Sequence, residues 1–150
     1  YGAADALADI AAATAALRAL SQTQGFAQTQ GFALGSIGYC MGGRLAYLSA
    51  AQPGISAAVA YYGGGIHGML DRTPAARAAL QFHYAGIDEN IPPEAVQRVR
   101  QALPAAEVNV YPGAHHGFNC WARSAYHAPS AALAHGRSLA FLAERLAFPR

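Results

Sequence analysis

The sequence contains no lysine: all ten of its basic residues are arginine. These arginines are scattered from Arg18 to Arg150 and form no stripe that could follow a phosphate backbone, which argues against a nucleic-acid partner. A P-loop is excluded as well, because its phosphate contact requires a lysine. Charged residues make up only 12% of the chain and hydrophobic residues 53%, so the composition is that of a globular protein and not of a disordered one.

Long apolar runs and paired cysteines are also scarce. No run approaches the ~20 apolar residues that cross a bilayer, and the small-residue stretch 3–16 is interrupted by Asp5 and Asp9. This stretch lacks the basic start and the cleavage site of a signal peptide, so we expect no membrane partner. The two cysteines, Cys40 and Cys120, are too few for a disulfide framework, which favours a cytoplasmic location.

The length of the chain allows one hydrophobic core. A chain of 150 residues buries roughly 70% of the surface that it exposes when unfolded, so we expect residues 1–150 to form a single domain. The hexapeptide Gln-Thr-Gln-Gly-Phe-Ala occurs twice in succession, at residues 22–27 and 28–33. Two copies of six residues are too short for a repeat architecture, so we interpret residues 22–33 as a duplicated loop before a strand.

Hydrophobic periodicity and turn residues predict alternating strands and helices. We predict helices over residues 4–20, 41–52 and 130–146 and a further helix that opens at Pro92 and Pro93, with strands over residues 33–38, 56–62, 80–84 and 107–111. In the last helix, Leu139, Leu142 and Leu146 are expected to be buried. This alternation predicts an α/β domain of three layers with a mostly parallel sheet, whose chemistry gathers at the carboxyl ends of the strands.

Three reactive groups follow predicted strands in the order nucleophile, acid and base. Cys40 lies in Gly-x-Cys-x-Gly, which has the form of the strained turn that exposes a nucleophile between a strand and a helix. A free thiol titrates near ~8.5 and needs an imidazole to help it ionise, a role for which the sequence offers His115 or His116. Asp88 follows the preceding strand and is placed to orient that imidazole.

Other interpretations of the same residues are less well supported. The glycines at positions 35, 38 and 42 do not have the spacing of a dinucleotide-binding motif, and no acidic residue lies between Asp9 and Asp71 to hold a ribose. His115, His116 and Cys120 match no usual zinc-site spacing. We therefore expect neither a cofactor nor a metal.

Four segments, taken together and in order, resemble the dienelactone hydrolase family, also called carboxymethylenebutenolidases, which has the α/β-hydrolase fold. They are residues 38–43 (Gly-Tyr-Cys-Met-Gly-Gly), 60–64 (Ala-Tyr-Tyr-Gly-Gly), 85–92 (Ala-Gly-Ile-Asp-Glu-Asn-Ile-Pro) and 111–119 (Tyr-Pro-Gly-Ala-His-His-Gly-Phe-Asn). The resemblance extends over nearly the whole chain from Gly31 onward. The family has several strands before the nucleophile where this sequence has one helix, so we expect the chain to be the C-terminal part of the family's domain and incomplete at its N-terminus.

The resemblance implies a hydrolase of lactones or related esters, with a small molecule as its substrate. Cys40 is then the nucleophile, His116 the base because it precedes Gly-Phe, and Asp88 the residue that orients the base. The backbone N–H of Met41 is an expected oxyanion donor. Arg123 is the candidate for the arginine that meets the substrate carboxylate in the family, although four residues separate it from Phe118.

Two further expectations concern the substrate pocket and an alternative function. Tyr62 lies at the end of the second predicted strand and is a candidate for lining the substrate pocket. The alternative to an enzyme is a truncated, non-catalytic hydrolase-like domain that associates with another chain, or with a second copy of itself, through an exposed edge of its sheet.

Overall fold

A computed structural model describes residues 2–23, 33–72 and 78–146. The helices are α1 (Ala3–Thr23), α2 (Met41–Ser49), α3 (Pro93–Ala102) and α4 (Ala128–Leu146), and the strands are β1 (Leu34–Tyr39), β2 (Ile55–Tyr61), β3 (Ala79–Ile87) and β4 (Glu107–His115). Two short 3₁₀ turns, Ile66–Gly68 and Leu70–Arg72, follow β2. The predicted order of helices and strands is confirmed. Of the predicted duplicated loop, residues 22 and 23 belong to α1, and residues 24–32 lie outside the described residues.

The four strands form one sheet in the order β1-β2-β3-β4, and each pairs in parallel with the next. The parallel sheet predicted from the sequence is therefore confirmed. The inner strand β2 is buried along nearly its whole length, as expected for a strand that has helices on both of its faces. The outer strand β1 is half open, and its Ile37 and Tyr39 are exposed.

Helices cover the sheet on both faces. His83 of β3 lies 3.0 Å from the hydroxyl of Ser138 on α4. The neighbouring Phe82 points to the opposite face because side chains alternate along a strand, and its ring lies 6.0 Å from that of Tyr47 on α2. The helices α2 and α4 therefore lie on opposite sides of the sheet, which gives the predicted three layers.

The prediction that Leu139 is buried is wrong, because 55% of its surface is exposed. Small residues and one phenylalanine form the buried face of α4: Ser130, Ala131, Ala134, Ser138 and Phe141. Leu139 follows Ser138 and is rotated by about 100° from it around the helix axis, toward solvent. Leu142 and Leu146 are partly buried as expected and pack against the core.

The strands β3 and β4 continue beyond their predicted ends at residues 84 and 111. Their pairing shifts between Ala85, which faces Tyr111, and Ile87, which faces His115, so that three residues of β4 lie opposite one residue of β3. Gly86 in β3 and Pro112 and Gly113 in β4, turn residues that predicted the ends of these strands, therefore mark a bulge. A Cβ atom on Gly86 would lie 2.8 Å from the carbonyl oxygen of Tyr111, so this bulge requires glycine.

A buried histidine lies in a hydrogen-bond network between β3, β4 and α4. The amide nitrogen of Gln81 donates to Glu107 Oε2 at 2.7 Å, so its Oε1 is the atom that lies 2.9 Å from His83 Nε2. This oxygen only accepts hydrogen bonds, so Nε2 carries the proton and Nδ1 accepts one from the Tyr111 hydroxyl at 2.7 Å. Both ring nitrogens are satisfied while the ring is neutral.

We expect His83 to make the protein sensitive to acid. Burial, with a contribution from Arg137, lowers the pKa of His83 to about 3, whereas an unfolded histidine titrates near ~6.5. As the pH falls through this interval, the unfolded chain binds a proton that the folded chain does not, so the free energy of unfolding falls. The expected loss is on the order of 3 kcal/mol between pH 7 and pH 4.

Urea unfolding of His83→Gln across this pH range measures the effect. The variant is expected to be less stable at pH 7 but to lose about 3 kcal/mol less than the wild type on acidification. The exposed His135 provides a matched control, since His135→Gln should keep the wild-type pH dependence. Parallel curves for His83→Gln and the wild type would contradict a buried neutral histidine.

Candidate active site

The residues that directly follow the four parallel strands lie together at one edge of the sheet. Cys40 follows β1, Tyr62 follows β2, Asp88 follows β3 and His116 follows β4. The carboxyl ends of parallel strands meet at one edge, where α/β proteins bind their ligands. Residues distant in sequence are thereby brought into contact.

The register between β3 and β4 brings the acid to the base. Ile87 and His115 are paired as the last residues of their strands, so Asp88 and His116 leave the sheet side by side. Asp88 Oδ2 lies 2.8 Å from Nδ1 of His116. The Asp88 side chain has no exposed surface, and that of His116 is 18% exposed. The imidazole is therefore fixed at its inner end and accessible at its outer end.

The carboxylate of Asp88 is itself held by the backbone. Its Oδ1 accepts hydrogen bonds from the N–H groups of Asn90 at 2.9 Å and of Ile91 at 3.1 Å. Together with the bond to His116, these contacts satisfy both oxygens of a fully buried side chain. A carboxylate in this position can orient an imidazole without turning away from it.

Cys40 lies on the other side of the imidazole. Its Sγ is 3.3 Å from Nε2 of His116, and the cysteine is exposed at the surface. Its backbone has φ 54° and ψ −116°, a conformation that costs on the order of 1–3 kcal/mol for a residue other than glycine. The Cys40 amide donates to the carbonyl of Tyr61 at 3.0 Å, which ties this strained turn to the end of β2.

Two glycines make the turn at Cys40 sterically feasible. A Cβ atom on Gly38 would overlap the carbonyl oxygen of Gly42, and one on Gly43 would lie 2.5 Å from the carbonyl oxygen of Tyr61. Since both obstacles are backbone atoms, no side-chain rotation would relieve them. The strand, the turn and α2 therefore approach one another more closely than side chains would allow.

The helix α2 begins directly after Cys40. The N–H groups of Gly43 and Arg44 donate to the carbonyl of Cys40 at 3.0 and 3.3 Å. The N–H of Met41, the first residue of the helix, has no hydrogen-bond acceptor among residues 2–23, 33–72 and 78–146. An unpaired N–H at a helix N-terminus favours negative charge beside it.

Tyr62 is the fourth residue at this edge. Its side chain is only 3% exposed, and its ring centroid lies 5.1 Å from that of His116, at an angle of 60°. The same ring also packs against Phe118 in a T-shaped arrangement, with centroids 5.4 Å apart. Tyr62 therefore lies between the aromatic core and the imidazole.

A cleft of about 400 Å³ opens beside His116. It is lined by Ile87, Glu89, Asn90, His115, His116, Ser124 and Ala125. Tyr62 and Arg123 are not among these residues. Arg123 is exposed and packs near Gly117, with its Cδ and Nη1 3.9 Å from the position that a Cβ on that glycine would occupy. Glu89 and Ser124 were not among the site residues predicted from the sequence, although Glu89 directly follows Asp88.

The structure gives two further findings about the described part of the chain. Residues 2–23, 33–72 and 78–146 contain no group of three or more His, Cys, Asp or Glu side chains arranged to hold a metal ion. Within the same ranges, each helix is too short or too polar to cross a membrane.

Comparison with known proteins relates this chain to one family. The model of the dienelactone hydrolase family matches residues 4–146. The carboxymethylenebutenolidase of Pseudomonas putida is 39% identical over 113 residues, which cover 73% of this chain and 48% of that protein. A putative carboxymethylenebutenolidase of Escherichia coli O157:H7 is 41% identical over 107 residues, which cover 63% of this chain and 40% of that protein.

The fold is similar to that of a solved relative. A putative dienelactone hydrolase from Klebsiella pneumoniae superposes with a TM-score of 0.68 at 36% sequence identity, over 74% of this chain and 52% of that one. The chain thus spans about half the length of the relatives that it matches. The predicted α/β-hydrolase fold is confirmed.

Proposed function

Because the chain belongs to the dienelactone hydrolase family, we propose that it hydrolyses carboxylic esters or lactones with Cys40 as nucleophile, His116 as base and Asp88 as the residue that orients the base. One observation carries this proposal. A single imidazole ring lies 3.3 Å from a sulfur atom at one nitrogen and 2.8 Å from a buried carboxylate at the other. The names of the relatives, which are carboxymethylenebutenolidases, support lactones as the substrate class.

The carboxylate determines which nitrogen accepts the thiol proton. Asp88 Oδ2 accepts a hydrogen bond from Nδ1–H of His116, so the lone pair of Nε2 faces Sγ of Cys40. In this tautomer the imidazole can take the thiol proton as the sulfur attacks. Asp88 then stabilises the positive charge that develops on the ring.

In the first half of the reaction, a thioester forms and an alcohol leaves. The Sγ of Cys40 bonds to the carbonyl carbon, its proton passes to Nε2 of His116, and the carbonyl oxygen becomes an oxyanion near the N–H of Met41. When the oxyanion collapses, the C–O bond to the leaving oxygen breaks and that oxygen takes the proton from Nε2. In a lactone, this oxygen remains attached to the acyl chain as a hydroxyl group.

In the second half, water replaces the sulfur. Nε2 of His116 removes a proton from a water molecule whose oxygen bonds to the thioester carbon. The C–S bond then breaks, the sulfur recovers the proton from the imidazole, and a carboxylic acid is released. For substrates that carry a carboxylate, we propose that the exposed Arg123 attracts this group near Gly117.

The relatives named as enzymes favour this function over a non-catalytic domain.

The edge strand β1 leaves Ile37 46% and Tyr39 44% exposed, and self-association through this edge stays a prediction. Size-exclusion chromatography would measure it without reference to activity.

An assay of p-nitrophenyl acetate hydrolysis, measured as the release of p-nitrophenol by the wild type and by Asp88→Asn, tests the proposal. The amide keeps the shape of the carboxylate but favours the wrong tautomer of His116, so we expect kcat to fall by at least about 10²-fold. Asp71 is exposed and lies outside the site, so Asp71→Asn should retain the wild-type rate. A folded wild-type chain that does not accelerate hydrolysis, or an Asp88→Asn variant as active as the wild type, would contradict the proposal.

A further inference from the structure

Tyr62 has a backbone conformation that bulky residues rarely adopt. Among the described residues other than glycine, only Cys40 (φ 54°) and Tyr62 (φ 37°) have a positive φ. Such a conformation costs on the order of 1–3 kcal/mol and persists only where the surroundings enforce it. Backbone strain of this kind concentrates at functional sites, and here both strained residues contact His116.

The strained turn at Tyr62 packs against the turn that carries the nucleophile. The Tyr62 amide donates to the carbonyl of His83 on β3 at 2.7 Å, and the preceding carbonyl, that of Tyr61, accepts from the Cys40 amide. On the following residue, the Cα of Gly63 lies 3.1 Å from where a Cβ on Gly43 would be. The position of the Tyr62 ring is therefore fixed relative to the nucleophile through backbone contacts.

The ring of Tyr62 supplies the contact that the triad itself lacks. Both nitrogens of His116 are already occupied, by Asp88 and by Cys40. These two bonds fix the ends of the imidazole and the Cβ–Cγ bond anchors it to the chain, so the tilt that remains to the ring is limited by what touches its faces. The Tyr62 ring lies 5.1 Å from the imidazole and is itself packed against Phe118, so it can restrain that tilt.

The hydroxyl group of Tyr62 has no comparable part in the site. Within residues 2–23, 33–72 and 78–146 it forms no hydrogen bond. Burial raises the pKa of Tyr62 well above its ordinary value, and Cys120, Tyr39 and Cys40 add to this effect. The hydroxyl therefore stays protonated throughout the range in which an ester hydrolase is assayed and does not serve as a second base, whereas the aromatic ring lies against His116.

We infer that Tyr62 is a positioning residue whose buried ring holds the imidazole of His116 between the sulfur of Cys40 and the carboxylate of Asp88. This inference rests on the proposed function, since it assigns the ring a task in the same triad. It separates Tyr62 from substrate binding, because the residue is only 3% exposed and does not line the cleft beside His116.

Two substitutions separate the ring from the hydroxyl. Tyr62→Phe keeps the ring and should retain kcat for p-nitrophenyl acetate within about 3-fold of the wild type. Tyr62→Leu removes the ring, and we expect kcat to fall by about 10- to 100-fold while KM changes by less than about 3-fold, because a small misplacement of a catalytic group lowers the rate of the chemical step. Tyr62→Met replaces the leucine variant if that variant does not fold.

A matched control accounts for the general loss of a buried aromatic ring. Tyr84 is 1% exposed and stacks on Phe82 with centroids 5.9 Å apart, and neither ring contacts His116. Tyr84→Leu should lower the melting temperature about as much as Tyr62→Leu but leave kcat near that of the wild type. Equal losses of kcat in these two variants, or a loss in Tyr62→Phe as large as in Tyr62→Leu, would overturn the inference.

A measurement that needs no turnover keeps the inference distinct from the proposed function. Long-range ¹H–¹⁵N spectra of the histidine side chains report the tautomer of His116, assigned by comparison with His116→Gln. The wild type and Tyr62→Phe should show the Nδ1–H tautomer alone, and Tyr62→Leu a mixture. If the folded wild type has no esterase activity but the spectra behave in this way, the proposed function fails and the positioning role stands. An unchanged tautomer in Tyr62→Leu overturns the positioning role.

Discussion

Replacing Cys40 by alanine is expected to lower the rate of p-nitrophenyl acetate hydrolysis by about 10⁴-fold or more. The substitution removes the sulfur that forms the thioester. Without a thioester, the water that His116 activates has no acyl-enzyme to hydrolyse. Stability should change little, since the side chain of Cys40 is exposed. Mass spectrometry should detect an acetyl group on residue 40 of the wild type during turnover and none in the variant.

The second cysteine provides the matched control. Cys120 is the other free thiol of the chain. It lies near Tyr62, but the nitrogens of His116 bond to Asp88 and Cys40 and not to it, so Cys120→Ala should keep most of the wild-type rate. A Cys40→Ala variant that still hydrolyses the ester at a comparable rate would exclude Cys40 as the nucleophile. Acetylation confined to Cys120 would have the same consequence.

Replacing Gly38 by alanine is expected to destabilise the fold by about 3 kcal/mol or more. The added methyl group would overlap the carbonyl oxygen of Gly42, so either β1 or the start of α2 must move, and overpacking of this kind typically costs about 1–3 kcal/mol even where flexible side chains can yield. The same displacement would separate Cys40 from His116, so the folded fraction should also be less active. Urea unfolding measures the change in stability.

Gly42 provides a matched control, because the same glycine-to-alanine substitution can be made four residues away in the same turn. No atom lies within 4 Å of the position that its Cβ would occupy, and it lies in the first turn of α2. Gly42→Ala should therefore change the free energy of unfolding by less than about 1 kcal/mol, with a bias toward stabilisation because alanine favours a helix. Similar stabilities for Gly38→Ala and Gly42→Ala would show that the close approach at Gly38 is not needed.

The order of the elements could be predicted from the sequence, and so could the positions of Cys40, Asp88 and His116 directly after strands. Helical and strand periodicities are local, and the turn at Cys40 carries its glycines within the six residues 38–43. The ends of the strands were less well predicted, because turn residues that usually end a strand can also form a bulge within one. Pro112 and Gly113 predicted the end of β4, but they form a bulge because β3 continues alongside them.

The burial and orientation of individual side chains depend on residues that are distant in the sequence, so no local sequence pattern predicts them. Leu139 was expected in the core and is exposed, because the small residues of α4 face the sheet. His83 had no assigned role, yet it is a fully buried side chain held by partners from β3, β4 and α4. Hydrogen bonds between distant segments depend on how the helices and strands pack. They produce no pattern of residue spacing that could be recognised in the sequence.

The sequence by itself determined a parallel α/β domain and placed Cys40, Asp88 and the pair His115 and His116 after the first, third and fourth predicted strands, because periodicity and turn chemistry act over a few residues. Only the tertiary structure decided that a bulge in β4 lets His116 meet Asp88 at 2.8 Å, and that the strained backbone of Tyr62 brings its ring against the imidazole. The physical reason is that distances of a few ångströms between strand ends are set by register and packing, which are properties of the whole sheet and not of any one segment.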